Sequence, residues 1–162
     1  MHIRGAHGSE ASVLSALALD AKSHWAYAPE DLENWRSQIT VSDEDVKLNP
    51  TFVAEIDHRI VGFYCLVKKS PTWELEHLWV VPPVMRRGIG RALLAHAVST
   101  ARDGGASAIA IDADPNAEPF YLACGARRAG VVAAPVSGNP ARVRPQLTLW
   151  VAQLNLSLNP DG

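Results

Sequence analysis

Apolar side chains recur at helical spacing between residues 89 and 102. Ile89, Leu93 and Ala97 form one stripe, and Leu94, Val98 and Ala101 lie beside it. Gly104-Gly105 stops this helix. Ahead of it the period changes to two. Residues 51–56 and 59–67 read as strands joined by an Asp57-His58 turn, a hairpin. After a Ser70-Pro71-Thr72 turn, residues 73–81 (WELEHLWVV) form a third strand, which Pro82-Pro83 ends. Near the start, residues 2–4 suit a short strand. Ser9 or Ser12 caps a helix through Val13, Leu14, Leu17 and Ala18, ending near Lys22. His24-Trp25-Ala26-Tyr27 breaks the pattern. Pro29 then fits the first turn of a second helix, with Glu30, Asp31 and Glu33 near its positive end. Residues 40–50 are polar and acidic and read as a loop. Beyond the long helix come a short buried strand over 108–111 and a short helix over 116–124, closed by Gly125. Strands over 126–133 and 147–153 follow, joined by PVSGNPARVRP, and 153–162 reads as a frayed tail. Hairpins followed by a strand–helix–strand unit predict an α+β (mixed α/β) domain with helices on a mixed sheet.

Composition narrows the partners rather than the fold. The chain has 162 residues, 48% hydrophobic and 20% charged, which suits one soluble domain over 1–162. A formal net charge of -2 gives no reason to expect nucleic acid or an anionic membrane surface, so any anion site must be local. The two cysteines, Cys65 and Cys124, lie far apart with no CxxC pair. We therefore expect reduced thiols, no metal and a cytoplasmic protein. The start, MHIRGAHGSE, lacks the apolar core of a signal peptide, and no apolar run is long enough to span a bilayer.

The helix beginning at Ile89 has an unusual entrance. A helix start leaves about four backbone N–H groups without partners, and serine, threonine, aspartate or asparagine usually caps them. Residues 84–88, VMRRG, contain none of these. The donors must meet water or an anion. Glycine lets an anion approach the backbone closely, and the helix dipole with Arg86, Arg87 and Arg91 would favour negative charge there. GxxxxGK[ST] is absent, and Leu93 stands where a dinucleotide fingerprint would place its third glycine. A glycine-rich turn with solvated arginines is the plain alternative.

WELEHLWVV, PPVMRRGIGRALL and AIDADPNAEPFYLACGA, in this order across residues 73–126, resemble the GNAT superfamily of acetyl-CoA-dependent N-acetyltransferases. The resemblance implies the GNAT-like acyl-CoA N-acyltransferase fold. That is a central, mostly antiparallel, twisted sheet of six to seven strands flanked by about four helices. It also implies a loop that cradles the pyrophosphate of acetyl-CoA. The family pattern, roughly Q/R-x-x-G-x-G/A, falls on Met85, Arg86, Arg87, Gly88, Ile89 and Gly90, with Met85 replacing the usual glutamine or arginine. The backbone cradle is spared, and Arg86, Arg87 or Arg91 can supply the charge. By the same resemblance the strand splays from its neighbour, so that Leu78, Trp79, Val80 and Val81 receive the pantetheine arm.

Acetyl transfer to an amine needs a neutral nitrogen, and an alkylammonium must first lose a proton. Strand alternation puts Glu74, Glu76, Leu78 and Val80 on one face. The family often keeps its base or base–water relay on this strand, so Glu74 and Glu76 are both candidates; otherwise both cap an exposed strand end. His77 points the other way and reads as a core histidine. A backbone N–H near Leu78 to Val80 would stabilise the charge that develops on the thioester oxygen. The resemblance makes Tyr121 the general acid for the leaving thiolate and gives Asn116 a cofactor contact. Its alternatives are a core tyrosine and a helix cap. The family builds its acceptor pocket near the early helices, which makes Trp25 and Tyr27 substrate-binding candidates, while Trp35 reads as core. Asp112 and Asp114 suit a solvated turn more than a cation site, and Arg142 and Arg144, in the last hairpin loop, read as solvated, with closure of that loop over the acceptor as the alternative. The expected partner is a small-molecule or peptide amine, with a homodimer possible. A non-catalytic acyl-CoA-binding sensor or partner module is the alternative function.

Overall fold

The computed structural model describes residues 1–152; the tail expected over 153–162 lies outside the described residues, and the strand expected over 147–153 ends at Trp150, with Val151 and Ala152 already helical. Two compact units partition the chain. One holds Met1–Leu66 with His77–Leu94, the other Val67–Glu76 with the chain from Ala95 onward. Strands run in the order β1-β2-β3-β4-β5-β7-β6 in one seven-stranded sheet. They are β1 (His2–Gly5), β2 (Thr51–Ile56), β3 (Arg59–Val67), β4 (Thr72–Val80), β5 (Ala108–Asp112), β6 (Arg127–Ala133) and β7 (Val143–Trp150). β4 and β5 are parallel; β1–β2, β2–β3, β5–β7 and β6–β7 are antiparallel. This is the mostly antiparallel mixed sheet that the sequence predicts.

The first unit is built around the β2–β3 hairpin. Its Asp57-His58 turn places both residues at positive φ, 50° and 62°, a geometry whose twist matches the flanking strands. On one face lie α1 (Ala11–Ser23), α2 (Pro29–Ile39) and the core they share with the hairpin: Leu14, Leu17, Ile39, Val41, Val53 and Phe63. Two expectations need correction here. Val13, expected in the apolar stripe of α1, is half exposed, because the helix turns its Ala11, Leu14, Leu17, Ala18 and Ala21 side inward. Neither Ser9 nor Ser12 caps α1, which instead continues from a 3-10 turn, Gly8–Glu10.

Residues 40–50, read as a loop, contain α3 (Asp43–Leu48). The cause is a capping box: Ser42 Oγ accepts from the Asp45 amide at 3.0 Å, and the Asp45 carboxylate accepts from the Ser42 amide at 2.8 Å. Aspartate stands where glutamate is usual, and only Val46 is buried, so the acidic run hid the element. With α4 (Ile89–Asp103) and α5 (Glu118–Ala123), five α-helices form among the described residues where about four were expected.

In the second unit, β4 begins beside β5, and Trp73 lies against Gly104 so closely that a Cβ there would collide with the indole. The stripe of α4 is as predicted: Ile89, Leu93, Leu94, Ala97, Val98 and Ala101 are all buried. The helix expected over 116–124 divides into a 3-10 turn, Pro115–Ala117, and α5, with Pro119 in the first turn of α5. β7 starts earlier than expected, at Val143, and alternates inward at Leu147 and Leu149. β6 is exposed along its whole length.

Candidate active site

The entrance to α4 lies in the first unit. After β4 the chain makes a 3-10 turn, Pro82–Val84, in which the Val84 amide donates to Val81 O and the Met85 amide to Pro82 O. Arg86 then takes a positive φ of 64° and Gly88 one of 83°. Gly88 needs no Cβ accommodation there, whereas an arginine at positive φ is strained by about 1 kcal/mol. Such strain concentrates at ligand sites. The first intrahelical bond runs from the Ala92 amide to Gly88 O at 3.0 Å, which makes Gly88 the N-cap residue. It has no side chain to offer, and the amides of Ile89, Gly90 and Arg91 precede that bond. A Cβ built on Gly88 meets nothing within 4 Å, so the space over this turn is open. Arg86, Arg87 and Arg91 are exposed around it, and Ile89 is buried as an anchor. Donors, dipole, open space and positive charge all fit a pyrophosphate.

β4 carries its side chains on two faces. Trp73, Leu75 and His77 are buried; Glu74, Leu78 and Val80 are partly exposed and Glu76 is exposed. The parallel ladder to β5 runs from Thr72 with Ala108 to Leu75 with Ile111. β4 continues to Val80, past its last ladder partner. The Val81 amide donates to Val61 O at 2.9 Å, so as a donor it is taken. Strand alternation turns the Trp79 backbone the same way, consistent with Trp79 O lying 2.8 Å from a Cβ built on Gly62. The amides of Leu78 and Val80 therefore point to the opposite edge of β4. Of the four residues assigned to the pantetheine arm, these two have the better-placed donors.

The two glutamates differ. Glu74 accepts from Lys69 Nζ at 2.8 Å in a half-exposed pair. Glu76 forms no ion pair among the described residues. His77 is a core residue, as its alternation predicts: it packs on Phe63, and its Nδ1 accepts from Trp79 Nε1 at 3.1 Å. Burial holds its pKa down at about 4, with Asp45 pulling weakly upward. It is a neutral imidazole near pH 7.

Tyr121 sits in the second unit, on the buried side of α5. Burial pushes its phenol well above the ordinary tyrosine value, and Cys124 and Asp114 push the same way. It therefore holds its proton throughout the neutral and mildly alkaline range. Among the described residues its hydroxyl has no hydrogen-bond partner. Asn116 is exposed and does not cap the turn; Asp114 does, accepting from the Asn116 amide at 2.8 Å and from Asn116 Nδ2 at 2.9 Å. Of the two acids expected in a solvated turn, Asp112 is exposed and Asp114 is not. Asp112 receives Arg144 and Gln146, each at 2.8 Å, and Asp114 lies 3.6 Å from Arg142 with both side chains buried. The reading of Arg142 as solvated fails because its partner is remote in sequence, with no local pattern to announce it.

Trp25 and Tyr27 flank Ala26, which takes a positive φ of 57°. Trp25 is half-buried against His24. Tyr27 packs edge-on against Trp35 at 4.8 Å, and the buried Lys22 ammonium lies 4.9 Å from the Tyr27 ring and 4.4 Å from Trp35. One face of Tyr27 is thus occupied by the protein's own cation. Trp35 packs against the core, as expected. Among the described residues no cluster of His, Cys, Asp or Glu could hold a metal ion, and no helix is long and apolar enough to cross a membrane.

Comparison with known proteins fits this geometry. The family model described as Acetyltransferase (GNAT) family matches residues 13–126. Among solved structures, the chain is similar to the PaiA N-acetyltransferase from Thermoplasma acidophilum in complex with coenzyme A. Identity is 18%, the TM-score 0.71, and the match covers 92% of this chain and 98% of that one. It is similar to YncA, a putative acetyltransferase from Salmonella typhimurium solved with acetyl-CoA, at 20% identity and a TM-score of 0.71, covering 93% and 94%. It is also similar to the ribosomal-protein-S18-alanine N-acetyltransferase from Escherichia coli, at 15% identity and a TM-score of 0.72, covering 93% of each chain. No curated protein sequence matches the chain. The chain belongs to the GNAT family of acetyltransferases, with acetyl-CoA as co-substrate.

Proposed function

We propose that this acetyltransferase passes the acetyl group from acetyl-CoA to an amine by direct attack in a ternary complex. The observation that carries the reading is the uncapped start of α4: Gly88 at positive φ under open space, with Arg86, Arg87 and Arg91 around it. The amides of Ile89, Gly90 and Arg91 hold the pyrophosphate. The Leu78 and Val80 amides orient the pantetheine arm and face the oxygen on which negative charge develops. Asn116 adds a cofactor contact.

Glu76 is the stronger candidate for the base, because Glu74 is already engaged by Lys69. Glu76 takes a proton from the acceptor's ammonium, directly or through a water, leaving the nitrogen lone pair free to attack. The new C–N bond forms as the C–S bond breaks, Tyr121 gives its proton to the departing sulfur, and the second proton that the nitrogen must lose returns through water to the phenolate, restoring Tyr121. Its buried phenol is supplied in the protonated form that this role needs. Trp25 and Tyr27 contribute to the acceptor pocket.

The test is coenzyme A release over a panel of amines. Loss of turnover in Tyr121→Phe, with acetyl-CoA binding kept, supports the assignment. Full turnover in both Tyr121→Phe and Glu74→Gln/Glu76→Gln removes it. Binding with no release of coenzyme A for any amine favours the non-catalytic module.

A further inference from the structure

Tyr121 follows a turn whose charged groups are tied to a distant part of the same unit. Asp114 Oδ1 caps the 3-10 turn through Asn116, leaving Oδ2 toward Arg142 Nη2. Arg142 lies in the connection from β6 to β7. Its Nη1 donates to Ala134 O at 2.9 Å, and the Ala134 amide donates back to Arg142 O at 3.0 Å, so the guanidinium is fixed across the base of that connection. Beside it the Ala113 amide donates to Pro145 O at 3.1 Å, and Asp112 takes Arg144 and Gln146 from β7. The Arg142 and Asp114 side chains are 7% and 8% exposed.

A pair this dry is a poor device for stability alone. Desolvating both ions costs about as much as their attraction returns, and apolar replacements are often neutral or better. Such a pair does fix geometry. We propose that Arg142 and Asp114 are positioning residues for Tyr121: Arg142 holds Asp114, Asp114 holds the Pro115–Ala117 turn, and the turn sets where the Tyr121 hydroxyl stands. The proposal rests on the reading of Tyr121 as the acid for its catalytic meaning, but not for its geometry.

The experiment separates the two. Protein carrying tyrosine labelled with 13C at Cζ reports Tyr27, Tyr64 and Tyr121 at pH 7, with Tyr121→Phe assigning the third signal. In Arg142→Gln the Tyr121 signal moves and broadens while those of Tyr27 and Tyr64 stay; Arg142→Lys restores it in part. Asp114→Asn keeps the cap oxygen, removes the charge, and moves the same signal. In turnover with acetyl-CoA and a panel of tyramine, spermidine and an alanine-initiated peptide, Arg142→Gln lowers kcat about tenfold with KM for acetyl-CoA unchanged, and has no further effect in a Tyr121→Phe background. A Tyr121 signal unmoved in both folded Arg142→Gln and Asp114→Asn overturns the proposal. So does an Arg142→Gln loss that persists in full beside Tyr121→Phe. Full turnover in Tyr121→Phe alone would instead overturn the acid assignment, leaving the NMR result to judge the positioning.

Discussion

Two strand-to-helix turns in this protein solve the same problem in opposite ways. The turn from β4 into α4 ends in a glycine N-cap, with amides ahead of the first intrahelical bond and arginines pointing outward. The turn from β5 toward α5 is closed by its own side chain: Asp114 takes the donors, and Arg142 and Arg144 neutralise the acids. The first leaves its donors for a ligand. The second uses its cap and its buried ion pair within the fold. On the proposed reading the open turn binds and the closed turn positions.

Reversing either turn should break the contrast. The largest effect belongs to the side chain that the closed turn presents: Tyr121→Phe should lower kcat about 100- to 1,000-fold, as loss of a general acid does, with acetyl-CoA affinity kept. Steady-state kinetics beside calorimetry reads this. Because Tyr121 is held protonated, the wild-type rate should show no loss from its ionisation between pH 8 and pH 10, and a fall centred near the ordinary tyrosine value would contradict the burial. Closing the open turn comes next. Gly88→Asp places a negative charge in the space over the α4 amides and should weaken acetyl-CoA binding about 100-fold. The positive φ adds about 1 kcal/mol of strain to the fold, visible as a small drop in Tm. Smaller still is the split between the carboxylates on β4: Glu76→Gln should reduce kcat about tenfold and Glu74→Gln less than threefold, measured at saturating acetyl-CoA.

A buried histidine sharpens the comparison from the stability side. His77 titrates at about 4 when folded and at its ordinary 6.5 when unfolded. Between these values the unfolded chain binds a proton that the folded one does not. The stability this group confers is therefore complete above pH 6.5 and is lost as pH falls toward 4, about 2 kcal/mol of it by pH 5. Urea unfolding at pH 7 and pH 5 should show that loss, and His77→Gln should flatten it.

Legibility followed the same division. The α4 stripe, the 57–58 hairpin and the glycine cap are local: spacing and residue type over a few positions fix them, and the linked motifs of 73–126 made the family readable. α3 is not legible in the sequence because its capping box uses aspartate and the helix buries one valine, leaving little periodicity. The Arg142–Asp114 pair and the Lys22 contact with Tyr27 and Trp35 join residues that no short window contains. The sequence could offer Tyr121 as an acid, but not the groups that hold it.

The proposed acetyl transfer depends on the open turn at α4 binding the cofactor. The most direct measurement is a calorimetric titration of the purified protein with acetyl-CoA, beside the folded Arg87→Glu/Gly90→Asp variant. Micromolar binding by the wild-type protein, lost in the variant, is the expected result. No binding by the folded wild-type protein, or equal binding by both, would contradict it.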